Sequence, residues 1–141
     1  MGVDKVVYTG GTFDLFHIGH VRLLQRCAEL GRVVVALNPD EFNEQYKGVR
    51  PVMCYEEREE VLRACKYVWD VLKQQDGHDS RPTVLRVMPN VVATTTEWTL
   101  ERYAQQTSLT EEWLNTLGIQ LVFLPYTQGI STTELKRRMC V

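Results

Sequence analysis

Short apolar runs alternate with longer amphipathic stretches along the whole chain. Val6–Tyr8, entered from Lys5, is followed by Arg32–Leu37, Val68–Leu72, Pro89–Thr94 and Ile119–Leu124. Most of these runs are apolar at consecutive positions, the pattern of strands buried on both faces of a parallel sheet. Between them, apolar residues recur at helical spacing. Over 17–30, Val21, Leu24, Cys27, Ala28 and Leu30 form one stripe, which Gly31 ends. Residues 55–66 predict a helix that opens on Glu56 and Glu57 and carries Val61, Leu62 and Cys65 on its apolar side. Thr83–Met88 predicts a short helix. Residues 97–117 read as helix in two pieces broken near Thr107 and Ser108, the second capped by Ser108 or Thr110 and ended by Gly118. Ser131 caps a last helix through Arg138, with Lys136, Arg137 and Arg138 in its final turn. The polar stretches 41–51 and 73–82 read as loops, the first of them mobile.

Strand, helix, strand at this spacing is a βαβ unit, with parallel strands and a right-handed crossover. The expected fold is α/β: a single, Rossmann-like, doubly wound domain over residues 1–141, with a parallel sheet of about five strands. A length of 141 residues suits one domain, and an apolar share of 44% supplies its core. A formal charge of −2 gives no global pull toward nucleic acid or membrane. The four cysteines form no CxxC pair; Cys27 and Cys65 fall on apolar helix faces as core residues. No charged-then-apolar leader and no membrane-length apolar run is present, so a soluble, cytoplasmic protein is expected.

The chemistry concentrates in Tyr8–His20. A buried strand breaks at Gly10 and Gly11 and resumes as a helix carrying His17 and His20 at its start. Glycines permit close backbone approach, and a helix N-terminus offers unpaired N–H groups to an anion. The two histidines are three apart and share a helix face. Beside a phosphate site they read as donors to phosphoryl oxygens, and no ligand spacing supports a metal. Alone, each feature has a plainer reading: surface histidines, Asp14 as a helix cap, Ser131 as an N-cap, His78 as a loop residue. Asp40 sits after Pro39 at a strand end, where turn formation explains it equally.

Gly-Thr-Phe-Asp-x-Phe-His-x-Gly-His, followed by Ile130-Ser131-Thr132-Thr133, resembles the two motifs of the cytidylyltransferase-type (HxGH) nucleotidyltransferases. The resemblance covers Val6 to about Arg138. It implies transfer of a nucleotidyl group from CTP, or another nucleoside triphosphate, to a small phosphorylated alcohol, with Mg²⁺ accompanying the triphosphate. His17, His20 and Asp14 are then the catalytic candidates. Gly10, Gly11, Thr12 and Phe13, with Thr127, Gly129, Ile130, Ser131, Thr132 and Thr133, would hold the nucleotide. Asp40, Lys47, Arg58 and Lys66 would face the acceptor, with Arg58 the best candidate for direct contact and Lys47 and Arg50 equally readable as solvated loop charges. A homodimer is implied too, with Tyr67 and Trp69 able to serve either core or contact. The chain departs from the family pattern twice: Tyr126 stands in place of an arginine, and Thr95-Thr96-Glu97-Trp98 in place of Gly-Asp-Asp-Trp. A phenol supplies no fixed charge. Arg50, Arg137 or Arg138 is expected to compensate.

Overall fold

The computed structural model describes residues 4–75 and 77–140; the predicted loop over 73–82 thus includes one residue, 76, outside the described set. Five strands and seven helices follow in order: β1 Val6–Gly11, α1 Ile18–Leu30, β2 Arg32–Leu37, α2 Asp40–Lys47, α3 Tyr55–Ala64, β3 Asp70–Lys73, α4 Arg81–Val87, β4 Val91–Thr95, α5 Leu100–Thr107, α6 Glu111–Thr116, β5 Gln120–Leu124 and α7 Thr132–Met139. All four strand pairings are parallel, and the sheet runs β3-β2-β1-β4-β5. The chain builds outward from β1 in one direction, then returns to build β4 and β5 on its other side. That reversal opens a crevice above the carboxyl ends of β1 and β4.

Two cores flank the sheet. One packs Val7, Val33, Val35 and Leu37 against Leu24 and Cys27 of α1 and Leu62 of α3. The other packs Tyr8, Ala36 and Val92 against Val84 of α4, Tyr103 of α5 and Leu114 of α6. Cys27 is a core residue as expected, and burial pushes its thiol up to about 12. Cys65 ends α3 and is only partly buried.

Local expectations fail where the chain is polar. The stretch read as a mobile loop contains α2, whose only buried residues are Phe42 and Asn43. Asp40 and Glu41 at its start and Lys47 at its end suit the dipole, and Gly48 in the left-handed region (φ 77°) returns its N–H to the Glu44 carbonyl. Such a helix leaves little apolar periodicity to read. Gly31 ends α1 for another reason than a left-handed turn: its φ is 161°, and a Cβ there would stand 2.5 Å from the Lys5 carbonyl oxygen. β3 begins at Asp70, and Trp69 before it is 61% exposed. Thr110, not Ser108, caps α6; Ser108 takes the left-handed position after α5. Among the described residues, no helix is long and apolar enough to cross a membrane.

Candidate active site

The crevice is a cleft of about 790 Å³. The loop after β1 enters it through an unusual backbone. Phe13 (φ 53°) and Leu15 (φ 50°) both occupy the left-handed region that side chains disfavour. Asp14 between them is buried and holds the loop in place. Its carboxylate accepts N–H bonds from Val52 at 2.7 Å, Met53 at 3.0 Å and Leu15 at 3.1 Å. Asp14 therefore clamps the β1 loop to the segment before α3; it does not cap α1. Thr12 is locked as well: its hydroxyl donates to Asn43 at 2.8 Å and accepts from Asn38 at 3.2 Å.

The cap of α1 is His17 itself. Its Nδ1 accepts the Gly19 N–H at 3.1 Å, while His20 Nδ1 accepts the His17 N–H at 3.2 Å. An accepting Nδ1 carries no hydrogen, so the neutral ring of each histidine carries its hydrogen on Nε2. The two rings stack with centroids 3.7 Å apart and 19° between planes. Phe13 and Phe16 enclose the His20 ring at 5.0 and 5.7 Å. Burial, with the neighbouring His17 charge, lowers the His20 pKa to about 3; burial lowers that of His17 as well. Both rings are neutral donors near neutral pH. Gly19 makes the stack possible, since a Cβ there would lie 2.9 Å from the His17 ring. The space beside that glycine is filled by the imidazole itself.

The second motif meets the first. Ser131 caps α7 by accepting the Glu134 N–H at 3.0 Å, and the Thr132 hydroxyl donates to the Asp14 carbonyl at 2.9 Å. That bond joins residues 118 positions apart. Gly10, Gly11, Thr12, Phe13, His17, His20, Thr127, Ile130, Ser131, Thr132 and Thr133 all line the cleft. Gly129 does not; it makes the turn before α7, with φ 81°.

Of the residues assigned to the acceptor, Lys47 lines the cleft, but Asp40, Arg58 and Lys66 do not. Lys66 is exposed, with its ammonium 5.2 Å over the Tyr67 ring. Arg58 is 1% exposed and fully engaged beneath the loops: it donates to the carbonyls of Thr12, Asn38 and Met53 and pairs with Asp40 at 2.6 Å. Burial raises the Asp40 carboxyl, but hydrogen bonds from Arg58 and the Tyr55 N–H, with the charges of Arg58 and Arg50, leave it below the ordinary value. Direct substrate contact by Arg58, the strongest expectation from the motif, thus gives way to a buried strut, because three carbonyls at the loop ends require its donors.

Of the expected compensating cations, Arg50 lines the cleft, whereas Arg137 and Arg138 do not. Arg137 and Arg138 both bond Glu134 and pull its carboxyl down to about 2, and Arg50 pairs with Glu44 and Asp40. Sequence reasoning missed Lys136, which lines the cleft and has no carboxylate partner among the described residues. Its spacing from Thr132 and Thr133 on α7 was the available signal. His78 and Asn43 also line the cleft. Tyr126 faces it with its pKa raised by burial and by Glu97, so the phenol stays neutral.

A doubly wound parallel sheet with two imidazoles and a second helix start converging at its switch point makes this α/β domain one of the nucleotidyltransferase-like fold. The chain belongs to the cytidylyltransferase-like family, whose model matches residues 8–138. It is 34% identical to the glycerol-3-phosphate cytidylyltransferase of Bacillus subtilis (strain 168), over 96% of this chain and 97% of that one. It is 32% identical to an FAD synthase of Pyrococcus horikoshii, over 99% and 96% of the two chains. The crystal structure of a lipopolysaccharide core biosynthesis protein from Thermoplasma volcanium GSS1 shares the fold, with a TM-score of 0.69 at 23% identity over 87% of this chain and 96% of that one.

Proposed function

We propose that this nucleotidyltransferase moves CMP from CTP to a small polyol phosphate, glycerol 3-phosphate being the simplest, and releases pyrophosphate. An oxygen of the acceptor phosphate attacks the α-phosphorus, a P–O bond forms, and the bond to the β-phosphate oxygen breaks. The acceptor is already ionised, so no strong base is needed. What the site must supply is donors aimed at the oxygens that gain charge. The stacked imidazoles, each with Nε2–H as its remaining donor, carry this reading. Asp14 positions their loop, and the start of α7 is assigned to the β- and γ-phosphates.

Mg²⁺ enters as part of the triphosphate substrate. Among the described residues no cluster of His, Cys, Asp or Glu could cage a metal, and Asp14 has both oxygens engaged, so the phosphates themselves would be its chief ligands. Lys136 takes the place left by Tyr126. Lys136→Met is expected to raise the KM for the triphosphate about tenfold, as loss of a charged contact does, with a smaller effect on kcat. An unchanged KM would remove Lys136 from the site.

The experiment for the function is a pyrophosphate-release screen of the four triphosphates against polyol, sugar and amino-alcohol phosphates. Release with CTP and a polyol phosphate, abolished by His17→Ala, is the expected result. Adenylyl transfer to another phosphate is the second reading, favoured by Tyr126, the Thr95-Thr96-Glu97-Trp98 loop and the similarity to an FAD synthase. Triphosphate binding without any release would instead point to a nucleotide-binding protein with weakened catalysis. A homodimer belongs to the same proposal. Trp69, exposed on the surface with the Arg32 guanidinium 4.3 Å over its ring, is the contact assigned to it. Sedimentation should find a dimer that Trp69→Glu converts to monomer; a monomeric parent protein sinks that assignment.

A further inference from the structure

Asn43 is the one polar side chain that α2 buries, at 6% exposure, and it lines the cleft. No step of the transfer described above uses it. A chain of bonds fixes its orientation. Asn38 Nδ2 donates to Thr12 Oγ1 at 3.2 Å, so the Thr12 hydroxyl turns its own hydrogen to Asn43 Oδ1 at 2.8 Å. With the oxygen taken, Nδ2 is the end of the amide left over, and it has no hydrogen-bond partner among the described residues. Nor is it sealed from solvent: among the described residues, Thr83 Oγ1 is the buried side-chain polar atom without a partner. The Asn43 N–H pair therefore opens on the cleft that the residue lines. A polar group this enclosed costs free energy until something accepts from it.

The neighbouring charge makes the acceptor of those bonds an anion. Lys47 stands one turn further along α2, on the same face, and also lines the cleft. Among the described residues it has no carboxylate within ion-pair distance. With Oδ1 engaged, Asn43 and Lys47 offer the cleft donors and no acceptor. A phosphate, with oxygens that only accept once ionised, matches that pair.

Asn43 meets the β1 loop from the flank opposite α7. α2 follows β2, on one side of β1, whereas α7 follows β5, on the other. The loop is tied to both: Thr12 is bonded from Asn43 of α2, and the Asp14 carbonyl from Thr132 of α7. Phe13, between them, packs against the His20 ring with centroids 5.0 Å apart. The imidazole thus sits beside a loop held from two flanks. The α7 flank is assigned above to the β- and γ-phosphates, which leaves the α2 flank for the attacking group.

We infer that Asn43 holds the attacking phosphate of the acceptor, donating from Nδ2 to one of its oxygens, with Lys47 supplying charge from the same helix face. The identity of the anion rests on the nucleotidyl-transfer reading. Two substitutions separate this role from bracing Thr12. Asn43→Asp keeps an oxygen for the Thr12 hydroxyl but exchanges the donors for a carboxylate; Asn43→Ala removes both. Calorimetric titration of the full chain with glycerol 3-phosphate, and separately with CTP, reads the two flanks, and thermal melts confirm that the variants fold. Affinity for glycerol 3-phosphate should fall about tenfold in Asn43→Ala, as loss of one hydrogen bond to a charged group does. It should fall on the order of a hundredfold in Asn43→Asp, where like charges face each other. CTP affinity should hold in Asn43→Asp. A residue that only braces Thr12 gives the reverse order, with Asn43→Asp binding like the parent protein and Asn43→Ala alone weakened. That order, no change in either variant, a loss of CTP affinity in place of acceptor affinity, or a parent protein that binds no glycerol 3-phosphate overturns the inference. Pyrophosphate release measured alongside judges the transfer reading separately: the expected order of affinities without release keeps Asn43 as a phosphate-holding residue and removes only the transfer.

Discussion

Replacing Arg58 by methionine is expected to cost on the order of 3–5 kcal/mol, the range for breaking a buried ion pair from one side. Domains of this size are stable by only about 5–15 kcal/mol. The guanidinium joins three segments that must meet for the cleft to exist: the loop after β1 through Thr12, the end of β2 through Asn38, and the segment before α3 through Met53. Methionine fills similar volume but leaves those carbonyls unpaired and Asp40 with Arg50 at 3.3 Å and the Tyr55 N–H at 3.4 Å as its remaining partners. Urea unfolding monitored by circular dichroism measures the loss. The double substitution Arg58→Met with Asp40→Asn should be less destabilised than the sum of the two single changes, because the stranded carboxylate is gone. A variant that keeps full stability and loses only acceptor affinity would return Arg58 to the substrate-binding role its motif suggests.

That contrast shows what was readable from the chain. β1 and β2 announce themselves because strands covered on both faces are apolar over consecutive positions. The first motif is readable because its glycines and histidines sit at a strand-to-helix junction whose physics is local. α2 was hidden, since a helix that buries two residues has almost no periodicity. Arg58 was misread because a charged residue suggests exposure. Yet it shares a helical face with Tyr55 and Leu62, both buried, and that spacing places it inside. Lys136 could have been found the same way, one turn beyond Thr132 and Thr133. The clamp from Asp14 to Val52 and Met53 and the bond from Thr132 to Asp14 join residues remote in sequence. Nothing in local pattern encodes them.

Replacing His20 by asparagine is expected to lower kcat for pyrophosphate release by about 10²–10³, the cost of deleting one preorganised oxyanion donor. The asparagine oxygen can still accept the His17 N–H, so the cap survives while the outward Nε2–H is lost. The same substitution should change the dependence of stability on pH. His20 titrates near 3 in the folded protein, against an ordinary value of 6.5. Above pH 6.5 the ring is neutral in both folded and unfolded chains, and the difference contributes its full stability. Below 6.5 the unfolded chain takes up a proton that the folded chain refuses, so stability falls with pH through that window and is gone below about 3. Each pH unit is worth about 1.4 kcal/mol, which sets an upper bound near 5 kcal/mol for the interval. Asparagine removes this group, so the variant should lose less stability than the parent protein between pH 6.5 and 4. His17 adds a smaller contribution of the same sign. Chemical denaturation across that range, paired with initial rates at neutral pH, reads both effects from one variant. If the two proteins lose stability in parallel while turnover collapses, the ring is catalytic but not held neutral by burial; if turnover is unaffected, the stacked pair is structural and the proposed transfer has no centre.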